Sequence, residues 1–206
     1  MGRQSMEKER IKDPNKRKAW AEMLLPVFQE RGIRAISMDD VALALGKSKA
    51  TVYKHFDSHK EIVSIVILQK LEDLGHFQTI LEDGEKGFAD RYILAVASIS
   101  RHLGDISNLF LSDLKLIYPD LWELINGFKQ FALLVLKRFY EEGIAAQVFQ
   151  DIDTDIMVLS DELFFDALTN PEFLTRKGIN LKDAFESYFK MRFYGILRND
   201  NQLSHK

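Results

Sequence analysis

The chain has 206 residues, 46% of them apolar and 29% charged, with 15 Phe, 6 Tyr and 2 Trp; this composition is that of a folded globular protein and excludes global disorder. It contains no cysteine, which excludes disulfide scaffolds, thiolate metal sites and cysteine nucleophiles. The first residues are too charged for a signal peptide, and no apolar run is longer than that from Phe131 to Leu136, far short of the ~18 to 20 residues that cross a bilayer. A soluble, cytoplasmic protein that makes no membrane contact is expected. The net charge of −3 conceals a division after Lys60: residues 1–60 carry 13 Lys+Arg against 8 Asp+Glu, and the rest carry 15 against 23. A basic N-terminal part on an acidic remainder suggests that the former meets a polyanion.

Apolar residues recur at helical spacing almost throughout and no hairpin signal appears, so the fold is expected to be all-α. Residues 1–12 read as a flexible basic arm, whose Arg3, Lys8, Arg10 and Lys12 could follow a minor groove. Asp13-Pro14 opens the first helix, with Trp20, Met23, Leu24, Val27 and Phe28 as its apolar stripe and Gly32 as its stop. Pro26 predicts a kink near Glu22. Ser37 and Asp40 form a capping box ahead of a helix carrying Met38, Val41, Ala42 and Leu45. Gly46 ends that helix, Ser48 caps the next, from Lys49 to Phe56, and Ser58 to Glu61 is a further capping box before an apolar helix reaching about Phe77.

Two short helices around a Gly-containing turn match a helix-turn-helix, whose second helix can enter the major groove. The arc opposite Val52 and Phe56 carries Lys47, Ala50 and Lys54, flanked by Thr51 and Tyr53. Small Ala50 permits close approach to base edges, Thr51 and Tyr53 can reach phosphate, sugar or a thymine methyl, and the lysines, Lys49 included, release counterions. The runs from Ile36 to Ala42 and from Gly46 to Phe56 resemble the DNA-binding domain of the tetracycline-repressor (TetR) family, over about a quarter of the chain. The resemblance implies a homodimeric bacterial transcription regulator, with an N-terminal three-helix helix-turn-helix DNA-binding domain (13–60), a larger helical ligand-binding and dimerisation domain (61–200) and a tail (201–206). Ser37, Lys49, Ala50, Thr51, Tyr53, Lys54, His55 and His59 match family DNA-contact positions. His59 stands where lysine is usual, Asp39 where a basic or neutral residue often faces DNA, and Pro26 is unusual in the first helix.

Beyond Gly87, helices are predicted at about 87–102, 106–117, 119–142, 154–169 and 181–197, with Gly143 ending the third of these. The resemblance places an effector cavity among the middle helices, so Phe110, Tyr118, Trp122, Phe128 and Phe131 are candidate lining residues for an apolar or amphipathic ligand. It places a four-helix dimer bundle on the last two helices, with Leu163, Phe164, Phe185, Tyr188 and Phe189 as candidate interface residues. No buried charge is foreseen in the cavity among the middle helices. Two reading helices on a diad would bind a palindromic duplex.

Asp151, Asp153, Asp155 and Glu162 imitate calcium-loop positions, but Ile156 stands where that loop needs glycine. No catalytic or phosphate-binding motif appears; neither an enzyme, a metal nor a cofactor is expected. The expected function is a DNA-binding regulator, a repressor released from its operator by a small molecule through the segment from Ser58 to about Phe77. The alternative is an all-helical protein–protein adaptor that has lost DNA binding, motivated by Asp39 and His59.

Overall fold

The computed structural model describes residues 13–197; the basic arm and the tail expected at 1–12 and 201–206 lie outside the described residues. Eleven α-helices are present among them, and the one extended pairing is an isolated antiparallel bridge between Phe149 and Leu197. Helix α1 (Pro14–Arg31) starts where Asp13 accepts from the backbone N–H groups of Asn15 and Lys16, at 3.0 and 3.3 Å. These are donors that a helix start leaves without partners. The helix passes through Pro26 without ending and buries Trp20, Ala21, Leu24 and Phe28. At Gly32 the backbone takes φ 78° and ψ 160°, a region essentially restricted to glycine. A Cβ there would also stand 2.5 Å from the Asp113 carboxylate.

The capping box opens α2 (Met38–Ala44), and both of its reciprocal bonds are made. The Ser37 hydroxyl and backbone N–H both donate to the Asp40 carboxylate, and Arg31 adds to them; together they lower the Asp40 pKa to about 2. Helix α3 is shorter than predicted, Lys49–Tyr53, because the chain tightens into i→i−3 hydrogen bonds at Lys54 and His55 before Phe56 returns to Val52. Helix α4 (His59–Gly75) ends two residues early. His76 bends its ring nitrogen back to the carbonyls of Glu72 and Asp73, and α5 (Phe77–Leu81) turns away.

The body continues with α6 (Phe88–Leu103), α7 (Asn108–Ile117), α8 (Pro119–Ala145), α9 (Thr154–Leu168), α10 (Pro171–Lys177) and α11 (Leu181–Ile196). Gly143 does not end α8. It sits within the helix because the buried Phe149 ring lies against its Cα, in the space a side chain would need. The acidic run of residues 151–155 has local work: Asp153 caps α9 through the N–H groups of Asp155 and Ile156, and Asp155 pairs with Lys137 at 2.6 Å. One apolar core runs from Trp20 in α1 to Ile196 in α11.

No helix among the described residues is long and apolar enough to cross a membrane.

Candidate nucleic-acid interface and effector cavity

Helix α3 is seated by Val52 and by Phe56 just beyond it, both fully buried. With those two side chains inward, 100° per residue turns Ala50 and Lys54 outward and Tyr53 to the flank, while Lys49 stands at the first position of the helix. All four are exposed, as is Lys47 ahead of the helix, and Tyr53 remains 42% accessible despite its ring. Ser37 is exposed at the start of α2 and holds Asp40. Thr51 is half-buried, its hydroxyl 2.8 Å from that of the capping Ser48. Asp39 meets Lys49 at 3.0 Å, and this bond raises the lysine pKa. The carboxylate therefore tethers a cation at the start of α3.

Two expected DNA contacts face inward. His55 is buried edge-on against Trp20, with centroids 4.7 Å apart; the tightened turn after Tyr53 rolls it into the core. His59 is half-buried, edge-on to Phe28, with Nδ1 3.0 Å from the Tyr118 hydroxyl. Burial lowers its pKa from the ordinary imidazole value, so it is neutral at pH 7 and contributes no cation. Sequence spacing could not foresee this, because Tyr118 lies 59 residues away.

His59 belongs to a mount that fixes the N-terminal unit on the body. The Ser107 N–H and hydroxyl donate to the side chain and carbonyl of Gln29, at 2.6 and 2.8 Å. Buried Asp113 on α7 accepts from the Arg34 backbone N–H at 2.9 Å, and Lys60 pairs with Asp120 at 2.7 Å. The end of α1 is thus bound to the start of α7, and the start of α4 to the start of α8.

Behind the mount lies an apolar cavity of about 140 Å³ among α4, α6, α7, α8, α9 and α11. Phe110 and Phe128 line it, together with Ile67, Leu71, Leu74 and Leu111. The other three expected lining residues stand elsewhere. Tyr118 belongs to the mount, Trp122 is buried at the start of α8 with the Lys115 ammonium 5.4 Å from its ring centroid, and Phe131 packs on Phe77 and Phe128 from the partly exposed side. The cavity wall instead takes Phe185, expected at a dimer interface, and two lysines the periodicity did not reveal, Lys70 and Lys129.

Phe185 and Phe189 are core residues of this subunit, buried against each other with centroids 4.6 Å apart. Leu163 is 63% exposed and continues a strip with Ile156 and Leu159 on α9; Met191 and Tyr194 are exposed on α11. Phe164 and Tyr188 stack at 3.8 Å, half-buried between the two helices. Beneath them is a buried charge that sequence reasoning missed. Asp161, fully enclosed, accepts from the hydroxyls of Tyr140 at 2.9 Å and Tyr188 at 2.7 Å, with Arg192 at 3.4 Å. The helical spacing of Ser160, Asp161 and Glu162 resembles that of any polar stripe, so nothing local marked Asp161 as inward.

A seated short helix with a basic, hydroxyl-bearing outer face, mounted on an all-helical body that holds an apolar cavity, defines a helix-turn-helix regulator. Residues 25–64 match the family of bacterial regulatory proteins described as the tetR family, and the chain is a DNA-binding transcriptional regulator whose N-terminal unit is similar to that family's. It is 20% identical to the HTH-type transcriptional regulator YvaF of Bacillus subtilis over 175 residues, 84% of this chain and 92% of the relative. The reading unit is closer to another relative: 59 residues, 28% of this chain and 29% of that one, are 37% identical to the HTH-type transcriptional repressor KstR2 of Rhodococcus jostii. A transcriptional regulator from Saccharomonospora viridis, solved in complex with choline, shares the fold with a TM-score of 0.70 at 18% identity, over 91% of this chain and all of that one. The adaptor alternative loses its motivation, since Asp39 is paired with Lys49 and His59 is engaged in the mount.

Proposed function

We propose that the protein is a repressor that binds a palindromic operator as a homodimer in the cytoplasm and leaves it when a small apolar or amphipathic molecule enters the cavity. The observation that carries this reading is the outward face of α3, where Lys47, Lys49, Ala50, Tyr53 and Lys54 are accessible together above a helix fixed by Val52 and Phe56. Ser37 and Thr51 complete the contact set. Tyr53 and Thr51 place hydroxyls for phosphate or base edges, and each lysine engaged with phosphate adds roughly 0.9 to the logarithmic salt slope.

One such unit makes few base contacts, so a diad is required. The exposed apolar strip of Ile156, Leu159 and Leu163, with Met191 and Tyr194 beside it, is suited to a second copy. Switching follows from the mount. Helices α4 and α7 both line the cavity and both hold the N-terminal unit, so a ligand that moves either one reorients α3. A coupling of ~1 to 3 kcal/mol is enough to change occupancy several-fold or more.

Selection of bound sequences from random DNA should return a palindrome bound more weakly as salt rises. On that sequence, Tyr53→Phe and Lys54→Ala should each weaken binding while the circular dichroism is unchanged. Unaltered binding by both variants would show that α3 is not the reading helix.

A further inference from the structure

On the reading that the cavity is the effector site, its wall limits the ligand to one chemical class. All but three of the lining residues are apolar, and the three are Lys70, Lys129 and Thr169. None of their polar heads is offered to the interior. The Lys70 ammonium faces the largely exposed carboxylate of Asp105, and that of Lys129 lies 2.7 Å from the equally exposed side of Asp166. The Thr169 hydroxyl donates to the Phe165 carbonyl at 2.9 Å. The lysines therefore give methylene stems to the wall while their charges stay on the solvent side.

A charged or hydrogen-bonding group enclosed here would give up its water and find no protein partner in exchange, which is unfavourable for a hydroxyl and far more so for an ion. Size narrows the class further. The cavity measures about 140 Å³, and a second void of about 30 Å³ adjoins it, with Phe77, Ile99, Ala132, Phe165 and Phe185 lining both. A cavity of ~150 Å³ lined by Leu, Ile and Phe stays dry and accepts benzene.

We propose that the cavity takes an uncharged single-ring hydrocarbon, aromatic or alicyclic, bare or with a short alkyl substituent. The ring fills the larger void and the substituent points past Ala132 into the smaller one. Apolar burial and packing against Phe110, Phe128 and Phe185 hold the ligand, and no hydrogen bond does. A fatty acid or a quaternary ammonium such as choline would leave its charge unpaired within this wall.

The test is titration calorimetry on the full-length protein with toluene, ethylbenzene, benzyl alcohol, benzoate, decanoate and choline. Toluene and ethylbenzene should bind, and benzyl alcohol and each of the three ions at least tenfold more weakly, a difference of ~1.4 kcal/mol. Ala132→Leu grows a side chain into the space between the voids and should weaken toluene binding tenfold or more while the melting temperature holds or rises. Ile125→Phe, from the same wall, serves in its place should the leucine variant fail to fold; failure of both to fold would show that the space is not there. Binding of neither hydrocarbon, binding of the alcohol or of any of the ions within tenfold of toluene, or toluene binding undiminished in a folded filling variant would each overturn the proposal. Operator affinity is measured separately: its absence counts against the regulator reading, and toluene binding that leaves it unchanged counts against the cavity as the switch, whereas the outcomes above count against the hydrocarbon alone.

Discussion

Replacing Asp113 with alanine probes the mount between the two halves. The side chain is 5% exposed and serves two partners on the loop after α1: the Arg34 backbone N–H, at 2.9 Å, and the Arg34 guanidinium, at 3.9 Å. A hydrogen bond to an ionised acceptor contributes ~1.5 to 3 kcal/mol. The ion pair contributes ~0 to 1 kcal/mol at most, because the Arg34 side chain is largely in solvent. Asp113→Ala removes both and leaves a part-buried N–H without its acceptor, for an expected loss of about 2 to 3 kcal/mol. Arg34→Ala removes only the ion pair, since its backbone N–H remains, and should cost about 0.5 kcal/mol or less. Urea denaturation followed by circular dichroism, read as midpoints at equal slope, separates the two. Equal losses, or a loss below about 0.5 kcal/mol for Asp113→Ala, would refute the view that the backbone bond carries the mount.

Three further outcomes are expected. Gly143→Ala gains ~1 kcal/mol of helix propensity but forces the Phe149 ring off its place, at ~1 to 3 kcal/mol, so the melting temperature should fall; a rise would mean that the ring does not pack there. Asp161→Ala strips Tyr140, Tyr188 and Arg192 of their shared acceptor and should cost ~3 to 5 kcal/mol, with Asp161→Asn milder; calorimetric melts of both decide, and a near-neutral alanine variant would refute an enclosed network. His59, with its pKa lowered by burial, takes up fewer protons folded than unfolded. Its contribution is therefore intact above the ordinary imidazole value of about 6.5 and is lost as the pH falls through that value toward the depressed one. His59→Gln should flatten that part of the stability–pH curve, and an unchanged curve would show that His59 does not titrate differently in the fold.

Much of the N-terminal unit was legible because its signals are local. Asp13, Ser37, Ser48 and Ser58 cap the helices they were expected to cap, and Val52 and Phe56 are the inward pair. The limits appear where a residue's fate is decided by a distant partner. His55 and His59 are drawn inward by Trp20 and Tyr118, and Gly143 stays helical because Phe149 folds back on it. The family resemblance gave Phe110 and Phe128 to the cavity but could not tell them from Trp122, a buried ring that faces elsewhere. It could not identify Lys70 and Lys129 either, since a long cationic side chain buries its stem without any mark in the local pattern.

The two indoles fall one to each half: Trp20 in the core of the reading unit beside His55 and Phe56, and Trp122 at the start of α8 under Lys115. Each half thereby carries its own intrinsic fluorophore. With Trp20 replaced by phenylalanine the emission comes from the body alone, and with Trp122 replaced it comes from the reading unit alone. Loosening of one half against the other can then be followed optically without an attached dye.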